Sequence, residues 1–198
     1  MKSSRSSWHN NIVSLVEGAV MVALAVVLDL IPLPSWPQGG SITVAMVPIV
    51  FYSYRRGWKW GLLAGTVNAV IQIIMGWYAP PVGTFAAFVL CVLLDYLIAF
   101  ACIGLADIFA KPFAKHRLFG YSFGAFIVSI IRFFSSFLSG CLIWDSYAPE
   151  GTPAWWYSLT YNGAYMIPNA ILTALLIMLL CIAVDPKTLK PMRKNKAE

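Results

Sequence analysis

Charge is what this sequence has least of. Asp, Glu, Lys and Arg together make up 11% of its 198 residues, and only eight residues are acidic; a soluble domain carries about 25%. Histidine is nearly missing as well. His9 and His116 lie at the ends of apolar stretches, far from the polar sector described below, so neither makes a credible general base. The four cysteines, Cys91, Cys102, Cys141 and Cys181, form no CxxC pair and have no histidine nearby. That spacing gives no metal or redox motif and leaves them as small core residues, so no metal and no cofactor is expected. No GxSxG, Walker loop, HExxH or paired acids occur, which removes the recognisable soluble-enzyme chemistries. Without a nucleotide-binding loop the chain cannot by itself couple ATP hydrolysis to movement.

What is present in excess is apolar. Hydrophobic residues make up 60% of the chain and the mean hydropathy is +0.74, beyond the roughly 45–50% of a soluble domain. This composition predicts an all-α integral membrane bundle, one domain over 1–198. The length fits about six transmembrane helices of roughly 20 residues. Nothing is left for a soluble catalytic domain, and no enzyme activity is expected.

The net charge of +6 could suggest nucleic acid, but the basic residues come in short clusters between apolar spans. Lys2 and Arg5 precede the first span; Arg55, Arg56 and Lys59 separate the second from the third. Lys111, Lys115 and Arg117 separate the fourth from the fifth, and Lys187, Lys190, Arg193, Lys194 and Lys196 follow the last. The remaining cation, Arg132, is inside a span. Alternation of this kind puts both termini in the cytoplasm by the positive-inside rule, with 1–11 an interfacial segment and 185–198 a basic cytoplasmic tail. Connections near 33–41, 77–82 and 145–154 carry no Lys or Arg and should face outward. No small-residue cleavage site follows the first apolar run, so it is expected to be a retained helix.

The spans carry marks of their own. In the first, about 12–31, Ala19 and Ala23 are four apart, a spacing that lets helices approach closely, whether within the bundle or against a partner. PLPSWPQGGS at 32–41 cannot be helical, and its Trp36 reads as either a headgroup anchor or a lid over a site. The second span, about 42–54, is short and contains Pro48, so it is expected to be broken, tilted or partly re-entrant. Asn68 and Gln72 share a face of the third, where they either bond between helices or look into a cavity.

The costliest group is Asp95, near the middle of the fourth span. An aspartate at mid-bilayer costs about 2.5–3.5 kcal/mol even on the lenient insertion scale, so it needs a partner. Arg132 on the fifth span is the internal candidate; a cationic or donor-rich ligand is the external one. A proton relay is a weaker third, since no second acid or histidine occurs at similar depth. On the fifth span Arg132, Ser136, Ser139 and Gly140 form one polar, small stripe, an inward face. On the sixth, Tyr157, Tyr161 and Tyr165 recur at i, i+4, i+8, and Asn162, Tyr165 and Asn169 at i, i+3, i+7. Hydroxyls and amides on one sector suit a small polar aromatic ligand.

Taken together, the runs SLVEGAVMVALAVVLDLI, SWPQGGSITVAMVPIVFYSYRRGWKWGLLAG, LLDYLIAFACIGLAD, IIRFFSSFLSG and SYAPEGTPAWWYSLTYNGAYMIP resemble the ThiT family, thiamine-specific S components of energy-coupling factor transporters. The resemblance spans about 14–180. It implies a multi-pass protein of the bacterial plasma membrane that captures thiamine from outside. It also implies docking on a transmembrane coupling protein and two cytoplasmic ATPases. Residue by residue, it puts the family's acid and tyrosine on Asp95 and Tyr96, the stacking aromatic on Trp144, and the YSLTYN tyrosine and asparagine on Tyr157 and Asn162. The closing tryptophan falls on Trp36 and the docking alanines on Ala19 and Ala23. One departure stands out: the family's R-x-x-x-H-x-x-x-G pattern is Arg132, Ser136 and Gly140 here. Serine cannot stack as histidine does, so either thiamine binds with altered affinity or a pyrimidine or thiazole precursor is preferred. Another vitamin as ligand, and a non-transporting structural or assembly protein, remain as alternatives.

Overall fold

The computed structural model describes residues 2–37 and 39–190. The tail cations Arg193, Lys194 and Lys196 lie outside the described residues, as do the side chains of Lys2 and Arg5. Apart from a single bridge between Ser35 and Ser41, the described residues form helices and connections. In order these are α1 (Lys2–Asp29), α2 (Met46–Arg56), α3 (Trp58–Gly76), α4 (Phe85–Cys91), a π-helical stretch (Val92–Ile98), α5 (Ala99–Ala101), a 3-10 turn (Cys102–Leu105) and α6 (Ala106–Ala110). A second 3-10 segment (Lys111–His116) leads to α7 (Arg117–Leu142), and a short turn (Asp145–Tyr147) precedes α8 (Ala154–Ala183). The runs Trp8–Asp29, Phe85–Leu142 and Ala154–Ala183 are long and apolar enough to cross a membrane.

The run Phe85–Leu142 is a hairpin rather than one rod. Phe113 leaves helical geometry (φ −100°, ψ 31°), and the arms on either side pack antiparallel: Ser135 Oγ donates to Leu94 O at 2.6 Å, and Gly124 lies against the Ala106 carbonyl. Helices α7 and α8 form the next antiparallel pair, held by Ser122 Oγ to Ala174 O at 2.7 Å and Ser158 Oγ to Phe137 O at 2.8 Å. Each hydroxyl satisfies a carbonyl without water, which is how a bilayer-embedded bundle keeps its polar groups paired.

The short helix α2 is the post around which the others stand. With 11 residues at 1.5 Å each, α2 is about 16 Å long, roughly half the hydrocarbon core. Pro48 does not break it. The ring lies in the first turn, where a missing N–H costs no helical bond. Residues Ile49, Val50, Tyr52 and Tyr54 are fully buried; Ile49, Val50 and Tyr54 pack with Ala25, Ile103, Ala125 and Ile177, and Tyr52 packs with Val22 and Ala64. Tyr52 donates to Ser14 O on α1, and Tyr54 to Tyr121 O on α7. Ser53 Oγ reaches Gly104 O, where α3 crosses the fourth arm, the helical stretch 85–110, so closely that a Cβ on Gly61 or Gly104 would strike the facing backbone.

The ion pairs among the described residues are gathered at one end of this bundle. Glu17 pairs with Arg55 at 2.8 Å and with Arg56. Asp107 meets Lys111 at 3.2 Å and Lys187 at 3.7 Å, and buried Asp185 holds Arg117 at 2.7 Å. Because α2 runs toward Arg56 and α7 runs away from Arg117, the starts of α2 and α8 and the end of α7 are at the opposite end. The cavity is there.

Candidate functional site

A cavity of about 290 Å³ opens among the ends of α1, α3, the fourth arm, α7 and α8, at the small end of the range for ligand pockets, about 300–1,000 Å³. Its key acid is placed by an irregularity. Residues Val92–Ile98 wind as a π-helix, a wider turn that shifts side chains out of the ordinary register and recurs at functional sites. Asp95 and Tyr96 both lie in it and both line the cavity.

Asp95 is not paired with Arg132. Its Oδ2 accepts from Ser139 Oγ at 2.6 Å and from the Trp144 indole Nε1 at 3.0 Å. The indole also reaches Ser139 Oγ at 3.2 Å. Both of these bonds fall on one carboxylate oxygen. Arg132 instead lays its guanidinium over the Phe100 ring, 4.5 Å from the centroid, a cation–π contact. Its buried Nε has no hydrogen-bond partner, and it too lines the cavity.

Tyr96 braces the rim. Its hydroxyl donates to Gly76 O at 3.0 Å and accepts from the Tyr78 N–H at 2.9 Å, while its ring stacks on Trp77. That fixes the turn after α3, and Tyr78 in turn packs 5.6 Å from Trp144. On α8, Tyr157 lines the wall beside Tyr161. Asn162 is buried, with Nδ2 donating to Ser158 O at 3.0 Å and Oδ1 accepting from Tyr165 at 2.7 Å. Ser136 and Gly140 complete the α7 wall; a Cβ on Gly140 would collide with Ser158, so glycine lets α8 come this close.

The loop between α1 and α2 closes the remaining side. Three prolines bar helix, and Gly39 and Gly40 adopt φ of +87° and +90°, a region glycine enters without penalty. Trp36 N–H donates to Gly40 O at 2.9 Å, making a tight hairpin. Asn169 of α8 then clamps the strand that follows: its Oδ1 accepts the Thr43 N–H and its Nδ2 donates to Ser41 O, both at 2.8 Å. Tyr161 donates to Gly39 O at 2.7 Å.

Six of the residues singled out from sequence, Asp95, Tyr96, Ser136, Trp144, Tyr157 and Asn162, thus share one cavity. Trp36 stands a step back. The loop's contribution to the wall is Gly39, Gly40 and Ser41, and the indole packs 5.7 Å from Tyr165. Ala19 and Ala23 are remote from it, on the exposed face of α1. Asp29 is not among the residues expected at the site, and Gln72, for which the sequence leaves an interhelical bond and a cavity both open, has both. Asp29, at the end of α1, accepts from Thr43 Oγ1 at 2.9 Å and from Gln72 Nε2 at 2.8 Å, and both Asp29 and Gln72 line the cavity. The signal available was a carboxylate and an amide in separate apolar spans, each needing a partner. Among the described residues no cluster of His, Cys, Asp and Glu could hold a metal ion.

Residues 15–189 match the model of a family described as Thiamine transporter protein (Thia_YuaJ). A protein from Bacillus subtilis named Thiamine transporter ThiT is 38% identical over 189 residues, covering 90% of this chain and 95% of that one. One of the same name from Lacticaseibacillus paracasei is 29% identical over 184 residues, covering 88% and 90%. In three dimensions the chain is similar to ThiT from Listeria monocytogenes, with a TM-score of 0.74 at 24% identity, covering 92% of this chain and all of that one.

Proposed function

This chain belongs to the thiamine transporter protein family, and from that premise we propose that it captures thiamine in the cavity lined by Asp95 and Trp144 and delivers it through an ATPase-driven partner module. The observation that carries the reading is the place of Asp95 in the cavity wall. Its carboxylate is held by Ser139 and Trp144 rather than neutralised by Arg132, so a buried negative charge is oriented toward the space a ligand would fill. Thiamine supplies a permanent thiazolium cation and an aminopyrimidine that donates hydrogen bonds. An indole face attracts such a cation by about 0.5–2 kcal/mol, and the surrounding Tyr78, Tyr147 and Tyr157 give further ring faces. Ser136 leaves room where the family resemblance has an imidazole. The ligand's own ring or an ordered water would take that space.

In the same reading the chain is an S component in the bacterial plasma membrane, with six spans, both termini cytoplasmic and the cavity outward. Support comes from the separation of the paired charges at one end from the cavity at the other. The coupling protein would meet the Ala19 and Ala23 face of α1, and the chain itself would carry no enzymatic activity. Titration calorimetry or tryptophan-fluorescence quenching with thiamine, a pyrimidine precursor and a thiazole precursor tests the ligand. Saturable thiamine binding is expected. Silence at high micromolar thiamine with a response to a precursor would transfer the assignment to that precursor, and silence to all three would end it.

A further inference from the structure

A second hollow lies on the outside of the bundle, between α1 and α3, and shares no lining residue with the cavity. It is a groove of about 170 Å³, walled by Leu15, Ala19 and Val22 of α1 and by Trp60 and Val67 of α3, with Tyr52 as its floor. The Tyr52 hydroxyl is already engaged with Ser14 O, so the lining offers hydrocarbon and ring faces. From Leu15 to Val22 the groove follows α1 for roughly 10 Å, about a third of the hydrocarbon thickness of a bilayer.

One end of the groove lies at the level of the ion pairs, since Glu17 adjoins Gly18 of its lining. There α2 ends at Arg56 and α3 begins at Trp58, which gathers Arg55, Arg56 and Lys59 at one corner. Glu17 is the acid that answers these three cations; Asp107, close to Gly57, is held by Lys111 and Lys187. Three cations against one carboxylate leave a surplus of two positive charges. Arg55 is taken up by Glu17 and Pro186 O, whereas Arg56 bonds to Glu17 through Nε alone among the described residues. Lys59 is exposed, 5.6 Å from the Trp58 ring centroid, and forms no ion pair among the described residues.

We propose that groove and corner together form a binding site for one anionic phospholipid, with an acyl chain between α1 and α3 and the phosphate at Arg56 and Lys59. Such a lipid presents the same two features in the same order, a negative phosphodiester at headgroup level and a hydrocarbon chain running inward. The guanidinium N–H groups of Arg56 not turned to Glu17 make charge-assisted bonds to phosphate, and lysines and arginines at a membrane surface attract anionic lipid. An apolar side chain from a partner helix fills the groove and leaves the charge at its end unanswered. A free anion answers the charge and leaves the groove empty. Because Ala19 lines the groove, this lipid and a helix docked on α1 exclude one another. The inference does not depend on the thiamine reading.

The test is native mass spectrometry of the purified full-length protein in neutral detergent, with phosphatidylglycerol and phosphatidylcholine of identical acyl chains added in equal amounts. One phosphatidylglycerol per chain is expected, preferred at least about tenfold. Lys59→Gln should cut that preference by about fivefold. Lys115→Gln, on the 3-10 segment before α7, removes an equal charge elsewhere and should leave the preference as it is. Neither lysine is in an ion pair among the described residues, so both variants keep the fold. Ala19→Trp, which fills the groove, should lose the bound lipid, and an excess of glycerol phosphate should not displace it from the unaltered chain. Equal retention of the two lipids would overturn the proposal, as would an equal loss in Lys59→Gln and Lys115→Gln, which would mean a response to net charge. Lipid retained unchanged in Ala19→Trp, or displaced by glycerol phosphate, would show that no chain lies in the groove and would equally overturn it.

Discussion

The Trp144 indole donates to Asp95 Oδ2 across 3.0 Å, from the end of α7 to the π-helical turn of the fourth arm. That one bond fixes the plane of the ring and the direction of the carboxylate together. Two substitutions separate these effects. Trp144→Phe keeps an aromatic face and loses the donor; a hydrogen bond to a charged group contributes about 1.5–3 kcal/mol, so thiamine binding should weaken by about ten- to a hundredfold. Trp144→Ala removes the face as well and should weaken it by a further about tenfold. Calorimetric Kd values for both variants decide; equal losses would mean that the ring face contributes nothing.

Ser136 is the place where the chain leaves the pattern it resembles, and it faces the cavity beside Gly140. Restoring the imidazole with Ser136→His adds a ring to the cavity wall. Aromatic pairs contribute about 0.5–1.5 kcal/mol beyond burial, which corresponds to a gain of up to about tenfold in thiamine affinity. Tighter binding measured by fluorescence titration would mean that serine leaves a gap. Weaker binding would mean that the ligand, or a bridging water, already occupies that volume.

How much of this could be read from the chain alone depended on the range of the interaction. The apolar stretches located the helices but not all their ends, since α1 begins at Lys2 rather than near 12 and α2 at Met46 rather than near 42; Asp95 stood out because an acid in the middle of such a stretch is expensive wherever the rest of the chain goes. Its partner was another matter. Arg132 and a ligand were both reasonable, and only the winding of Val92–Ile98 and the end of α7 decide that Ser139 and Trp144 take the carboxylate. Asp29 and Gln72 were visible as polar residues, but their bond joins positions 43 apart in sequence, and nothing local fixes which faces of α1 and α3 meet. Trp36 drew attention as the large residue of its loop, while the wall is made by Gly39, Gly40 and Ser41, small residues that no pattern of size or charge marks out. Pro48 suggested a broken helix because its distance from the helix start was unknown; α2 begins at Met46, so the ring falls where it does no harm.

The loop offers a kinetic test. Gly40 has φ of +90°, and a Cβ there would lie 2.6 Å from ring carbons of Tyr165. Gly39 has φ of +87° with open space where its Cβ would go. Alanine at either position incurs the left-handed penalty, about 1–2 kcal/mol, but only Gly40→Ala also pushes the loop off α8. Thiamine release, followed by stopped-flow fluorescence, should quicken in both, and by about tenfold more in Gly40→Ala. Equal rates in the two variants would show that contact with Tyr165 does not govern closure.

Helix α1 has two faces with different duties. Gly18 is pressed against Tyr52, and Val22 and Ala25 are buried, so that side packs the bundle. Ala19 and Ala23 are on the exposed side, with Ala19 at the edge of a shallow apolar groove shared with Trp60 and Val67 of α3. A tryptophan at position 19 therefore has room in the isolated protein and should leave both the melting temperature and the thiamine Kd unchanged. It would, however, hold another helix away, because small residues four apart permit close approach only while they stay small. Ala19→Trp should bind thiamine normally and fail to support uptake in cells or in vesicles containing the coupling module. Normal uptake would move the partner to another face of the bundle; lost binding would mean that α1 transmits its packing to the cavity through Asp29.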